Sequence, residues 1–204
     1  MSRTSRKINN IDTTHMLLYA LAFVILLGIW IGTVLSKQIQ ADILEKVTII
    51  LNGFSNQRHN QNFLQTFSSS FASHIGFFAV LFFCGFCAIG QPIIVFTLLF
   101  KGLGIGFSIS SIYLIYGKNA IYYVSFLILP IAIIGITLIL LAGVESYRLS
   151  FCFTKILTSD RIFKRTSIIK RYLAIFIIYI FLLAIISLLD STLFFFLGNK
   201  LLLH

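Results

Sequence analysis

The chain has 204 residues, 58% hydrophobic and only 11% charged, with a formal net charge of +10. A soluble domain carries roughly 25% charged residues, and the surface of a globule this size needs polar cover that these residues cannot supply. The apolar residues fall in long blocks, none alternating as a barrel strand must, which leaves an all-α, polytopic integral membrane protein.

A helix needs about 20 apolar residues to cross a hydrocarbon core of ~30 Å. On that scale the sequence predicts one membrane domain over 1–204, with five spans near 16–35, 70–90, 92–116, 121–144 and 172–197. The first block, Met16 to Leu35, follows Arg3, Arg6 and Lys7. It is longer than the ~7–15 apolar residues of a signal peptide, and "IGTVLSKQ" offers no A-x-A-like cleavage site, so a retained anchor is expected. A polar loop over 36–69 comes next. Within it Ile43, Leu44, Val47, Ile50 and Leu51 share a helical face opposite Asp42, Glu45, Lys46 and Thr48. That pattern predicts an amphipathic helix on the membrane surface. Phe63, Leu64, Phe67 and Phe71 then resume helical spacing and lead into the second span. His74 is expected near the outer end of that span, where it needs no special role.

The next stretch, "GQPIIVFTLLFKGLGIGF", holds Lys101, the one charged residue between His74 and Lys118. A turn at Lys101-Gly102 would make flanking helices of about 39 and 21 Å, whereas a turn at Gln91-Pro92 makes them about 31 and 37 Å. The second division suits a ~30 Å bilayer, and proline is favoured in a first helical turn. It places Lys101 about 14 Å beyond Pro92 along the third span. Two readings of Lys101 stay open: an anchor that snorkels to the headgroups, or a lysine facing a partner in the bundle. Gly102, Gly106 and Ser110 recur every four residues, a stripe of small residues that lets helix backbones approach closely in lipid, within the chain or between copies. Gly104 and Ser108 extend that smooth surface. Cys84 and Cys87 form a C-x-x-C inside an apolar run, where thiolate formation is penalised; small packing residues are the expected role.

Pro130 lies inside the fourth block and is expected to kink it. The segment 145–171 follows, with Arg148, Lys155, Arg161, Lys164, Arg165, Lys170 and Arg171. Leu149, Phe153, Ile156 and Leu157 give it a short apolar face, read equally as an interfacial helix or as an extension of the fourth span. Excess Lys and Arg stay on the cytoplasmic side, so an N-terminus inside and a C-terminus outside are expected. The same bias accounts for the basic residues without nucleic acid. Asp190 is the one acidic residue within a span, near the outer end of the fifth, and a direct pair with Lys101 is not expected there.

The sequence has no H-E-x-x-H, G-x-S-x-G, Walker or dinucleotide-binding motif. Its four histidines, His15, His59, His74 and His204, are scattered, with no Cys or carboxylate at metal-ligand spacing. Neither enzymatic activity nor a metal or other cofactor is expected. Residues 63–113, "FLQTFSSSFASHIGFFAVLFFCGFCAIGQPIIVFTLLFKGLGIGFSISSIY", resemble the stage II sporulation protein M family. The resemblance rests on Gly90, Pro92, Lys101, Gly102, Gly106 and Phe107, with Leu129-Pro130 in span four. Gln91 stands where that family carries an apolar residue, and Asp190 where it carries a glutamate. The resemblance implies a membrane scaffold acting in endospore engulfment with two peptidoglycan hydrolases, an amidase/endopeptidase and a lytic transglycosylase. The polar loop would be their docking surface. A transporter or channel-like subunit is the rival, since Lys101, Pro130 and the Gln91-Pro92 break are features permeases share.

Overall fold

The computed structural model describes residues 3–38, 62–117, 121, 124–158 and 165–193. The amphipathic segment expected over 42–51, the loop residues 159–164 and the stretch beyond Leu193 lie outside the described residues. Among the described residues five long helices make up the fold: α1 (Arg3–Lys37), α2 (Phe63–Phe86), α3 (Gly90–Tyr116), α4 (Leu129–Thr158) and α5 (Arg165–Leu193). Each is long and apolar enough to cross a membrane, and no strand occurs among the described residues. The chain is an all-α, multi-pass membrane protein.

Several helix ends depart from the sequence expectation. Helix α2 opens at Phe63, ahead of Ser70, because the Gln65 side chain turns back to accept a hydrogen bond from the Asn62 N–H at 3.1 Å. That bond satisfies one of the orphan donors of a first turn. His74 therefore sits well inside α2, and not near its end. Helix α4 begins at Leu129 after a π-helical turn, Val124–Ile128. Pro130 follows directly on this π-helical turn, with helical residues on both sides of it. Helix α4 then runs unbroken to Thr158, so the apolar face at Leu149 and Phe153 belongs to an extension of this helix. The turn between α2 and α3 falls at Cys87–Ile89, and Pro92 is the third residue of α3, in its first turn as expected. Cys87 lies at this turn and is exposed, while Cys84 is buried in α2. The helix end holding this turn is called the turn end below, and the end holding Phe63 and Leu193 the far end.

Burial runs opposite to a soluble core. Phe23, Trp30, Phe83, Phe96, Ile177 and Phe181 are all more than 60% exposed, whereas Ser36, Ser111, Ser146, Ser150, Ser187 and Ser191 are essentially buried. Lipid tails solvate large apolar side chains as well as a protein does, so helices associate through close packing of small residues and hydrogen bonds. Helix α4 packs against each of the other four. Its Ala142 is fully buried, and its Gly143 leaves room for Leu98 of α3.

The closest approach joins α1 to α3. A Cβ on Gly102 or Gly106 would fall inside the van der Waals radius of the Ile25 or Ile29 carbonyl oxygen. Reciprocally, a Cβ on Gly28 or Gly32 would strike the carbonyl oxygen of Leu99 or Leu103. Two Gly-x-x-x-Gly stripes thus interlock backbone to backbone. One turn further the Ser36 and Ser111 hydroxyls share a hydrogen bond of 3.1 Å. The stripe foreseen on α3 is met inside the chain, by Gly28 and Gly32. Ser110 is buried beside it, but the interhelical bond is made by its neighbour Ser111. Gly104 does not extend the face, since a Cβ there would meet nothing within 4 Å.

This contrast makes a paired prediction. Gly106→Leu forces α1 and α3 apart at a cost above the usual ~1–3 kcal/mol of overpacking, and should sharply lower the folded fraction in membranes. Gly104→Leu should leave it near wild type. Equal abundance of the two variants, measured by fluorescence size exclusion, would rule out the interlock.

Candidate intramembrane polar site

Two polar centres lie along the bundle. At the turn end, hydroxyls of α4 bond carbonyls in the α2–α3 turn, and a hydroxyl of α5 bonds a carbonyl within the last turns of α2. Ser150 Oγ donates to the Cys87 carbonyl at 2.7 Å, and Thr154 Oγ1 to the Ala88 carbonyl at 2.8 Å. Gln91 Nε2, in the first turn of α3, donates to Thr154 Oγ1 at 3.3 Å. Tyr172 of α5 donates to the Phe82 carbonyl at 3.1 Å and shares a bond of the same length with Ser146 Oγ. Its ring stacks on Phe82 at 5.7 Å and meets Phe86 edge-on at 5.4 Å. Gly85 leaves the space that the Tyr172 hydroxyl fills. Gln91 is therefore a connector between the turn and α4, and the polar residue at that position has a structural reason.

The second centre is deeper. At about 1.5 Å per residue, Lys101 lies about 17 Å along α3 from Gly90, and His74 about 18 Å along α2 from Phe86. Both are near the middle of a ~30 Å hydrocarbon layer. The half-buried Lys101 ammonium rests 4.5 Å from the centroid of the Phe77 ring, a cation–π contact that is stronger away from water. On the same face of α2, one turn before His74, Ser70 Oγ donates to Asp190 Oδ2 of α5. His74 lies on α2 between Ser70, which bonds Asp190, and Phe77, which meets Lys101. Helix α4 admits the imidazole at Gly135, where a Cβ would come within 3.3 Å of His74 Cε1. Beside this cluster a groove of about 350 Å³ opens between α2 and α3, walled by Phe77, Val80, Phe96, Thr97 and Phe100.

Of the residues singled out in the sequence, Gly102 and Gly106 serve the α1 contact, Gln91 and Pro92 the turn, and Pro130 the start of α4. Lys101 and Asp190 meet α2 from different helices, at Phe77 and at Ser70, and no ion pair joins the two. Among the described residues no cluster of three or more His, Cys, Asp or Glu could hold a metal. The arrangement suits structural polar contacts.

The stage II sporulation protein M family model matches residues 20–193. The chain belongs to that family. No curated protein and no solved structure matches it significantly. The match runs from within α1 to Leu193 of α5, so it takes in both polar centres. Within it, Lys101, Gly102 and Gly106 sit on one helix but divide between two tasks. The glycines hold α1, and the lysine faces α2.

Sequence reasoning missed the Gly28, Gly32 and Ser36 stripe, although its four-residue spacing equals that on α3 and was there to be read. It also passed over His74, whose depth depends on where α2 starts, and Tyr172, whose carbonyl partners lie 90 residues away.

The turn-end contacts have a measurable worth. Tyr172→Phe keeps the ring packing and removes the hydroxyl. It should destabilise the protein by about 0.6–2 kcal/mol, the range for interhelical hydrogen bonds in membranes. Unfolding in mixed micelles with increasing sodium dodecyl sulfate checks it, and an unchanged midpoint would show that the hydroxyl bonds contribute nothing.

Proposed function

We propose that this chain is a membrane scaffold that localises peptidoglycan-remodelling enzymes during endospore engulfment and septal wall thinning. The family match across 20–193 carries this reading. What the family resemblance implies is a protein without chemistry of its own, partnered by an amidase/endopeptidase and a lytic transglycosylase. It would act in the septal or engulfing membrane. Orientation follows from charge. Arg148, Lys155, Lys170 and Arg171 are exposed at the turn end on α4 and α5, and such residues favour the cytoplasmic face and its anionic lipids. With that end inside, the connection between α1 and α2 lies outside, next to the wall, where hydrolases work.

A transporter or channel-like role is the second reading. Its support is Lys101 and His74 at mid-depth, beside a groove between α2 and α3, since ionisable groups within a bilayer mark ion and substrate pathways.

Because α2 already begins at Phe63, the docking test can exchange 39–61 alone and leave every described helix intact. Pull-down from sporulating membranes should recover both wall hydrolases with the native chain and lose them with the exchanged loop. Unchanged recovery, together with solute flux through proteoliposomes, would replace the scaffold by the second reading.

A further inference from the structure

Lys101 and the groove between α2 and α3 share a wall. The lysine ammonium rests over the Phe77 ring at 4.5 Å. Phe77 also lines the groove, with Val80 of α2 and with Phe96, Thr97 and Phe100 of α3. Among the described residues the ammonium has no hydrogen bond and no carboxylate at ion-pair distance. A cation at mid-depth in a bilayer is costly, and such residues pair as a rule with an opposite charge or with carbonyls. The ring face offsets part of that cost, but a lysine has three N–H donors and the ring gives them no oxygen.

The groove is shaped for a helix. Gly76 lines it, and a Cβ there would meet nothing within 4 Å. Along that side of α2, Ser69, Ala72, Ser73, Gly76, Ala79 and Val80 are exposed, a low face about 17 Å long, or three turns. Phe96 and Phe100 stand exposed on α3 as the opposite wall. A low face of this kind lets a second backbone approach closely in lipid, as α1 approaches α3 within this chain. A lipid tail would also fill apolar space, but it brings no oxygen to this depth, since headgroups lie about 15 Å away. A second copy fits the charge no better. Its mid-depth cation is again Lys101, and its Asp190 is bonded by Ser70.

We propose that the α2–α3 groove docks a transmembrane helix of another protein, one that carries an Asp or Glu at mid-depth to pair with Lys101. The partner helix lies along the low face of α2 at Gly76, against Phe96 and Phe100. Its carboxylate meets the ammonium at the level of Phe77, where the low dielectric strengthens an ion pair. The proposal rests on the scaffold reading only in supposing a partner protein. It adds a contact within the membrane to the one at 39–61, and the two fail separately, because the test below involves neither that loop nor a hydrolase.

The probe is a synthetic leucine-rich helix of about 20 residues with a Gly-x-x-x-Gly face and a central Glu, compared with peptides carrying Gln or Lys there. The full chain, with p-benzoylphenylalanine in place of the exposed Phe96, is reconstituted with each peptide in liposomes of phosphatidylethanolamine and phosphatidylglycerol and irradiated. Crosslinking to the Glu peptide should exceed that to the Gln peptide by about three- to tenfold, the span of polar contacts between membrane helices. The Lys peptide should crosslink least. With the photoprobe in place of Phe181, exposed on α5, the three peptides should not differ. Lys101→Met should abolish the preference for Glu, and Gly76→Leu should lower the yield of the Glu peptide. Equal yields from the three peptides at Phe96 overturn the proposal, as do adducts with lipid alone or with a second copy alone. So does a preference for Glu that survives Lys101→Met in a chain of native helix content. The peptide comparison keeps Lys101 and Gly76 in place, so it decides where either variant fails to fold.

Discussion

Lipid gives a helix neither a hydrogen-bond partner nor a solvent-driven reason to leave it, and the architecture follows from that constraint. Every helix is already soluble in the bilayer, as the exposed Phe23, Trp30, Phe96 and Phe181 show. What joins the helices must then come from close contact and from polar groups seeking partners. The α1–α3 interlock supplies the first. Missing side chains at Gly28, Gly32, Gly102 and Gly106 bring carbonyl oxygens and backbones together along two full turns. The serines buried between helices supply the second.

The same constraint explains the turn end. Reversing the chain between α2 and α3 leaves the Cys87 and Ala88 carbonyls in a turn, and Ser150 and Thr154 of α4 bond them there. Tyr172 of α5 adds a bond to the Phe82 carbonyl within α2. These bonds fix the depth at which α2 meets α4 and α5, and hence which residues share a level further along. Helix α2 registered in this way puts His74 opposite Gly135, Ser70 against Asp190 and Phe77 against Lys101. The deep centre therefore depends on hydrogen bonds made well below it. A scaffold gains from such a frame because partners dock on a fixed shape.

The elements differ in how much of them could be read in advance. The α2–α3 turn was legible because bilayer thickness and helix rise leave one workable position for a Gly-x-Pro in that run. The Gly102–Gly106 stripe was legible as a packing face, but not its partner or the outward direction of Gly104. Span ends were less legible. The start of α2 is set by Gln65 bonding back to Asn62, and the start of α4 by a π-helical turn, neither of which hydropathy records.

The sequence by itself determined the class of this protein. Eleven per cent charge in long apolar blocks can only be a helical membrane protein, and the Gly-x-Pro and Lys-Gly-x-x-x-Gly run pointed to its family. Both are matters of composition and local spacing, which survive without knowing what touches what. Tertiary structure alone decided that α3 turns its glycines to α1 and its lysine to α2. It alone brought Ser70 and Asp190 together. Ser70 and Asp190 are 120 residues apart in the chain, so only the register of packed helices, set by distant hydrogen bonds, could make them neighbours.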